Sequence, residues 1–271
     1  MIKMLVLDID GTIIKKDFTY SLALKDSLLK LQDNGVKVVI ATGRMHHGAV
    51  PLIKELGLNT PAVSYQGGMV RNWQENDDIL YSKRMSAQQA KKVIDYFRSQ
   101  NVHINAYSQD KLFVEQDDDL IKEYVTNRYV QYHVLDNLEA LDLSKLNKLL
   151  GIEPDPKKME KVVRGLSEMF KDELFIVKSM HHYCEVTHPE ATKGKAIEFL
   201  CKYWNIDISE TMAIGDNDND IDMIKTAHIG VAMGNGTPNL KAAADFVTKS
   251  VEDDGVVYAI EKFIGIGCEN V

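Results

Sequence analysis

Cysteine is scarce: Cys184, Cys201 and Cys268 are the three in 271 residues, far apart and without CxxC spacing. That excludes a disulfide scaffold and fits reduced thiols in a cytoplasmic protein. Long apolar runs are missing too. None approaches the roughly 18 residues that span a bilayer. The opening Met4–Leu7 stretch runs straight into Asp8, too short for a signal-peptide core. Positive charge is in deficit, with a net charge of −8, so no general attraction to nucleic acid or anionic membrane is expected. Internal repeats and low-complexity segments are absent, and nothing indicates an obligate protein partner. What is present is ordinary for a folded chain: 45% hydrophobic and 27% charged residues, enough for a real core. The length suits one large or two modest domains.

The apolar run Ile2–Leu7 has strand length and ends at an acidic turn, as a strand buried on both faces does. Leu24, Leu28 and Leu31 then recur at helical spacing, and Gly35 stops the helix. Val36–Ala41 is a second buried strand, a helix runs to Gly57, and Pro61–Tyr65 is a third strand. This alternation predicts a parallel sheet with right-handed crossovers. The pattern changes after a hairpin over Val70–Arg84. A helix to Gln100, strands near Ile104 and Phe113, an acidic Glu115–Asp119 run, and strands at Leu146–Ile152, Leu174–Lys178 and Tyr183–Thr187 follow. After Pro189 the first style returns, with a helix over Lys193–Trp204 and strands at Thr211–Ile214 and Ile229–Met233. The expected fold class is α/β: residues 1–83 and 188–271 form a Rossmann-like, mostly parallel sheet core, and 84–187 an inserted α+β domain.

Asp8-Ile9-Asp10-Gly11-Thr12 stands where the first strand ends, and open parallel sheets bind ligands beyond the carboxyl ends of their strands. Residues two apart in an extended segment project to one side, so both carboxylates meet one site. Their repulsion would raise one pKa unless a cation intervenes. A divalent metal would hold Asp8 ionised as a nucleophile, and Asp10 could keep a proton for a leaving group. Gly11 permits close backbone approach to a phosphate. The same residues also suit an Asx-type turn with exposed acids. Gly215-Asp216-Asn217-Asp218-Asn219-Asp220 again follows a strand, and carboxylates on neighbouring strand tips suit Mg²⁺. A calcium loop is ruled out, because Ile221 and Ala227 stand where it needs Gly and Glu. Thr42-Gly43 ends the second strand with a hydroxyl and amides suited to phosphate oxygens. Lys193 opens a helix against the dipole, and a bound anion would relieve that. It is no P-loop, since Pro189 and Ala196 break the pattern. Gly234-Asn235-Gly236 begins like a dinucleotide fingerprint, but Asn239 breaks it. His181, His182 and His188 cluster in sequence, yet neighbours on a strand point to opposite faces, which argues against zinc.

With these four segments in order, the chain resembles the haloacid dehalogenase superfamily, and within it the Cof-type phosphatases with a large α/β cap. Val231-Ala-Met-Gly-Asn235, Ala244-Asp245 and Asp254-Gly255-Val256 extend the resemblance over essentially the whole chain. It implies a Mg²⁺-dependent phosphatase of small phosphorylated metabolites, with sugar phosphates foremost. Asp8 would form an aspartyl-phosphate, and Asp10 would act as acid and then base. Thr42 would bind the transferring phosphoryl group, with Lys193 neutralising nucleophile and phosphate. Ile9, Gly11, Gly43 and Asn219 would complete the phosphate site. Asp8, Asp10 (through its carbonyl), Asp216 and Asp220 would form the metal site, with Asp220 orienting Lys193 or a metal-bound water. The usual Asn-Gly after the third strand is Gln66-Gly67 here. A phosphomutase, a signalling receiver and a non-enzymatic phosphate-binding member are the rival readings. A receiver needs about half this length and no insert.

Overall fold

In the computed structural model, residues 1–74, 76–126 and 130–265 are described. Cys268 lies outside them. The chain divides into two compact units, one of residues 1–44, 49–81 and 192–271, the other of 45–48 and 82–191. The junctions thus fall a few residues from the change of pattern in the sequence, and the second unit also takes the first turn of a helix from the first half of the chain.

The first unit runs β1 (Met4–Leu7), α1 (Leu22–Asp33), β2 (Lys37–Ile40), α2 (His46–Leu56), β3 (Ala62–Ser64), β4 (Met69–Arg71) and β5 (Ile79–Ser82). The second carries α3 (Ala87–Ser99), β6 (His103–Ser108), β7 (Lys111–Val114), α4 (Asp119–Val125), β8 (Tyr132–Val134), β9 (Leu146–Ile152), α5 (Pro156–Phe170), β10 (Phe175–Met180) and β11 (Tyr183–Thr187). The first unit resumes with α6 (Lys193–Trp204), β12 (Thr211–Gly215), α7 (Ile221–Thr226), β13 (Ile229–Ala232), α8 (Pro238–Ala243), β14 (Phe246–Val247) and α9 (Gly255–Phe263).

Its main sheet has the order β14-β13-β12-β1-β2, and every pairing is parallel. Strand alternation sends Leu5, Leu7, Val38, Ile40, Met212 and Ile214 to one face, where they pack with Leu24, Leu28 and Leu31 of α1 and Val256 and Ile260 of α9. Met4, Val6, Val39 and Ala213 face the other way, against Ala196, Ile197 and Leu200 of α6 and Met223 and Ile224 of α7. Both faces are covered, which is why these strands read as unbroken apolar runs. Register then sets the site. Leu7 pairs with Ile40 on one side and Ile214 on the other, so Asp8, Ala41 and Gly215 leave the sheet side by side.

The second unit's sheet has the order β10-β11-β9-β6-β7-β8, antiparallel except for β7 with β8. Ile104, Ala106, Leu149, Cys184 and Val186 pack with α3 and α5. The opposite face carries buried polar groups, among them Lys148 paired with Glu185 at 3.0 Å. This is the α+β insert within an α/β chain. Among the described residues, no helix is long and apolar enough to cross a membrane.

Candidate active site

Immediately after β1 the backbone turns sharply. The Ile9 carbonyl accepts the amides of Thr12, Ile13 and Ile14, and Gly11 sits at φ +87 with its amide donated to the Ile14 carbonyl. A Cβ on Gly11 would come within 2.3 Å of Asp216 Oδ2, so only glycine lets the Asp8 loop and the β12 loop approach this closely. Asn235 braces the same turn, donating Nδ2 to the Gly11 carbonyl at 2.8 Å while its Oδ1 accepts the Val251 amide.

Lys193 is the first helical residue of α6, with Thr192 as N-cap accepting the Lys195 amide at 3.2 Å. Its ammonium is wholly buried, 2.5 Å from Asp8 Oδ1 and 2.6 Å from Asp220 Oδ1. Asp220 is itself fixed, because its Oδ2 accepts the amides of Asp216 at 3.0 Å and Asn217 at 3.1 Å. Asp8, Asp216 and Asp220 each bring a carboxylate oxygen to within 4.8 Å of one another. Asp10 does not join them. Its carboxylate turns to Arg44 and is about half exposed.

Three carboxylates against one ammonium leave excess negative charge out of solvent. Burial pushes Asp8 up to about 7, with Lys193 opposing and Asp220 and Asp10 adding to the rise. Burial likewise lifts Asp216 to about 8, helped by Asp8 and Asp220. Burial works against the charge on Lys193, but Asp220 and Asp8 together hold its proton well above the ordinary lysine range. A hard divalent cation among oxygen donors would remove the excess, and the donor set fits one. Asp8 and Asp216 would be its side-chain ligands, since Asp220 Oδ1 meets Lys193 and Asp220 Oδ2 accepts two backbone amides.

On the neighbouring strand end, Thr42 is buried, its amide donating to the Val63 carbonyl and its Oγ1 accepting the Arg44 amide. Gly43 follows, where a Cβ would meet Gln66 Nε2 at 2.4 Å. Gln66 Oε1 in turn accepts Asn219 Nδ2 at 2.9 Å. The structure therefore joins Thr42–Gly43 and Asn219 through Gln66, a residue whose part the sequence did not disclose. Tyr65, Gln66 and Gly67 all have positive φ, the first two without glycine's freedom. Such backbone persists only where its surroundings over-determine it, and it gathers at functional sites. Asp218 is also structural here, accepting Thr237 Oγ1 at 2.5 Å and Asn239 Nδ2 at 3.0 Å. Among the described residues, no cluster of potential metal ligands includes His181, His182 or His188.

Residues 5–260 match the haloacid dehalogenase-like hydrolase family. A phosphoglycolate phosphatase of Methanobrevibacter smithii is 28% identical, over 96% of this chain and 97% of its own. A 5-amino-6-(5-phospho-D-ribitylamino)uracil phosphatase of Bacillus subtilis is 25% identical, over 97% and 98%. The crystal structure of a haloacid dehalogenase-like hydrolase from Bacteroides thetaiotaomicron superposes with a TM-score of 0.86 at 27% identity, over 97% and 99%. A buried Asp–Lys–Asp arrangement at the tips of a parallel sheet, in a chain matched over residues 5–260, settles the family: this protein belongs to the haloacid dehalogenase-like hydrolases of the Cof type, and it is a phosphatase.

Proposed function

We propose that the enzyme hydrolyses small phosphorylated metabolites, sugar phosphates foremost, with Mg²⁺ and through an aspartyl-phosphate on Asp8. The observation that carries this is the buried contact of Lys193 with Asp8, in the presence of Asp216. A carboxylate held beside an ammonium at a strand tip can meet phosphorus while charge on the phosphoryl oxygens is neutralised.

In the first step an Asp8 oxygen forms a bond to phosphorus and the ester P–O bond breaks. Asp10 gives its proton to the departing oxygen. In the second, water attacks phosphorus, Asp10 takes the water's proton, and the bond to Asp8 breaks, returning the carboxylate and free phosphate. The Thr42 hydroxyl, Lys193 and Asn219, with backbone at Ile9 and Gly43, hold the phosphoryl oxygens, whereas the Gly11 amide is taken by the Ile14 carbonyl and the glycine serves the close approach of the two loops. Asp220 keeps Lys193 aimed at Asp8. Mg²⁺, held by Asp8, Asp216 and the Asp10 carbonyl, would supply charge neutralisation when bound. The protein's task is positioning more than covalent chemistry.

Residues 84–187 are proposed to select the leaving group, acting without an obligate partner in the cytoplasm, where the buried free thiols Cys184 and Cys201 stay reduced. Relatives named for a phosphoglycolate and for a phosphoribityl compound support small phosphate esters as the class. The test is a panel of phosphorylated sugars, nucleotides and small acids, scored for Mg²⁺-dependent phosphate release. Release from sugar phosphates above the rest is expected. Transfer of the phosphoryl group within a sugar, without free phosphate, would favour a mutase instead.

A further inference from the structure

Lys193 holds the carboxylates of Asp8 and Asp220, and Arg44 holds that of Asp10. Arg44 Nε donates to Asp10 Oδ2 at 2.9 Å and a terminal guanidinium nitrogen donates to Oδ1 at 2.5 Å. Among the described residues, no other side chain hydrogen-bonds to that carboxylate. The Arg44 backbone is itself pinned between two strand ends. Its amide donates to Thr42 Oγ1 at 3.1 Å, and its carbonyl accepts the Tyr65 amide at 3.0 Å. The Arg44 side chain is largely covered, 14% exposed, while that of Asp10 is 48% exposed.

A pair this exposed on one side adds little to stability. What the two parallel hydrogen bonds do fix is direction, because a planar fork leaves a carboxylate almost no rotation. The Asp10 backbone is already set by the turn at Gly11, so its side-chain torsions are the remaining freedom, and the fork removes them. We propose that Arg44 is a positioning residue for Asp10, orienting its carboxylate for the departing oxygen of the substrate. This rests on the reading of Asp10 as the acid, and the experiment separates the two.

Phenyl phosphate and p-nitrophenyl phosphate are nearly the same shape but differ in need. The nitrophenolate leaves readily without a proton, and the phenolate much less so. The measurement is kcat/KM for both esters with Mg²⁺, in wild type, Asp10→Asn, Arg44→Ala, Arg44→Lys and the double variant Arg44→Ala/Asp10→Asn. Asp10→Asn should lower the phenyl-to-nitrophenyl ratio by about tenfold or more, within the usual reach of general acid catalysis. Arg44→Ala should lower the same ratio several-fold at little cost to the nitrophenyl ester. Arg44→Lys should not restore it, because a point charge cannot grip both oxygens, and it serves equally if the alanine variant folds poorly. The double variant should be no worse than Asp10→Asn alone. An unchanged ratio in Asp10→Asn would remove the acid reading, and the proposal with it. A changed ratio there but equal losses on both esters in the Arg44 variants would make Arg44 a phosphate ligand and overturn the proposal by itself.

Discussion

Lys193 Nζ lies 2.5 Å from Asp8 Oδ1, its side chain wholly out of solvent. An ammonium is placed so only where negative charge compels it, and here Asp220 closes on the other side at 2.6 Å. Lys193→Met keeps the length and removes the charge, stranding two buried carboxylates. Breaking a buried pair from one side typically costs about 3–5 kcal/mol. Denaturant unfolding near neutral pH without metal should show a loss of that order, alongside a fall in kcat of several powers of ten. A variant as stable as wild type would mean the carboxylates do not depend on the ammonium.

The raised acids predict a pH dependence with a definite sign. Asp8 and Asp216 titrate near 7 and 8 in the fold, against an ordinary 3.8. Between those values the folded protein holds more protons than the unfolded chain, so metal-free stability should fall as pH rises through that window. Mg²⁺ bound among these carboxylates would replace those protons. Its effect on Tm should therefore be larger at about pH 8 than at about pH 5.5, with proton release on binding. Equal Tm shifts at both pH values would contradict the account.

The approach of Gly67 to α6 predicts a third outcome. Gly67 has φ +101, and a Cβ there would stand 2.1 Å from the Thr192 carbonyl oxygen, immediately before Lys193. Gly67→Ala must push apart two backbones and shift the ammonium. Gly35, at φ +82 with nothing within 4 Å of its Cβ position, is the control. Gly35→Ala should cost only the left-handed strain, about 1–2 kcal/mol, and leave kcat unchanged. Gly67→Ala should cost more and lower kcat. Equal effects of the two would show that the contact with Thr192 yields easily.

Much of this was legible in the sequence, for physical reasons. β1, β2 and β12 are covered on both faces, so their apolar runs stand out, and the acids that follow mark the sheet's ligand-binding edge. Asp8, Asp216, Asp220 and Lys193 could be named because each sits at an element end. α4 was hidden because Glu115–Asp119 reads as a solvated run. In the fold, Asp118 is an N-cap, accepting the Ile121 amide at 3.1 Å, and Asp119 complements the dipole. α8 is only 6 residues long and buries Leu240 alone, so no apolar stripe stands behind its Thr237-Pro238 start signal, where Thr237 caps the Leu240 amide. β8 and β14 are too short for periodicity to register. Arg44 on Asp10 and Gln66 on Asn219 are contacts between segments 34 and 153 residues apart. No local pattern encodes those; only the sheet register brings them together.

The central claim is that Asp8 is phosphorylated during turnover. The direct measurement is acid quenching of enzyme, Mg²⁺ and a good substrate within the first turnovers, borohydride reduction, and mass spectrometry of the peptide containing Asp8. An acyl phosphate is reduced by borohydride and a free carboxylate is not, so the account predicts reduction at Asp8 alone, appearing with substrate and decaying as substrate is exhausted. Asp8→Asn should show no reduced residue and a kcat lower by several powers of ten. An unreduced Asp8 throughout rapid turnover, or an Asp8→Asn variant that keeps more than about one per cent of wild-type kcat, would contradict it.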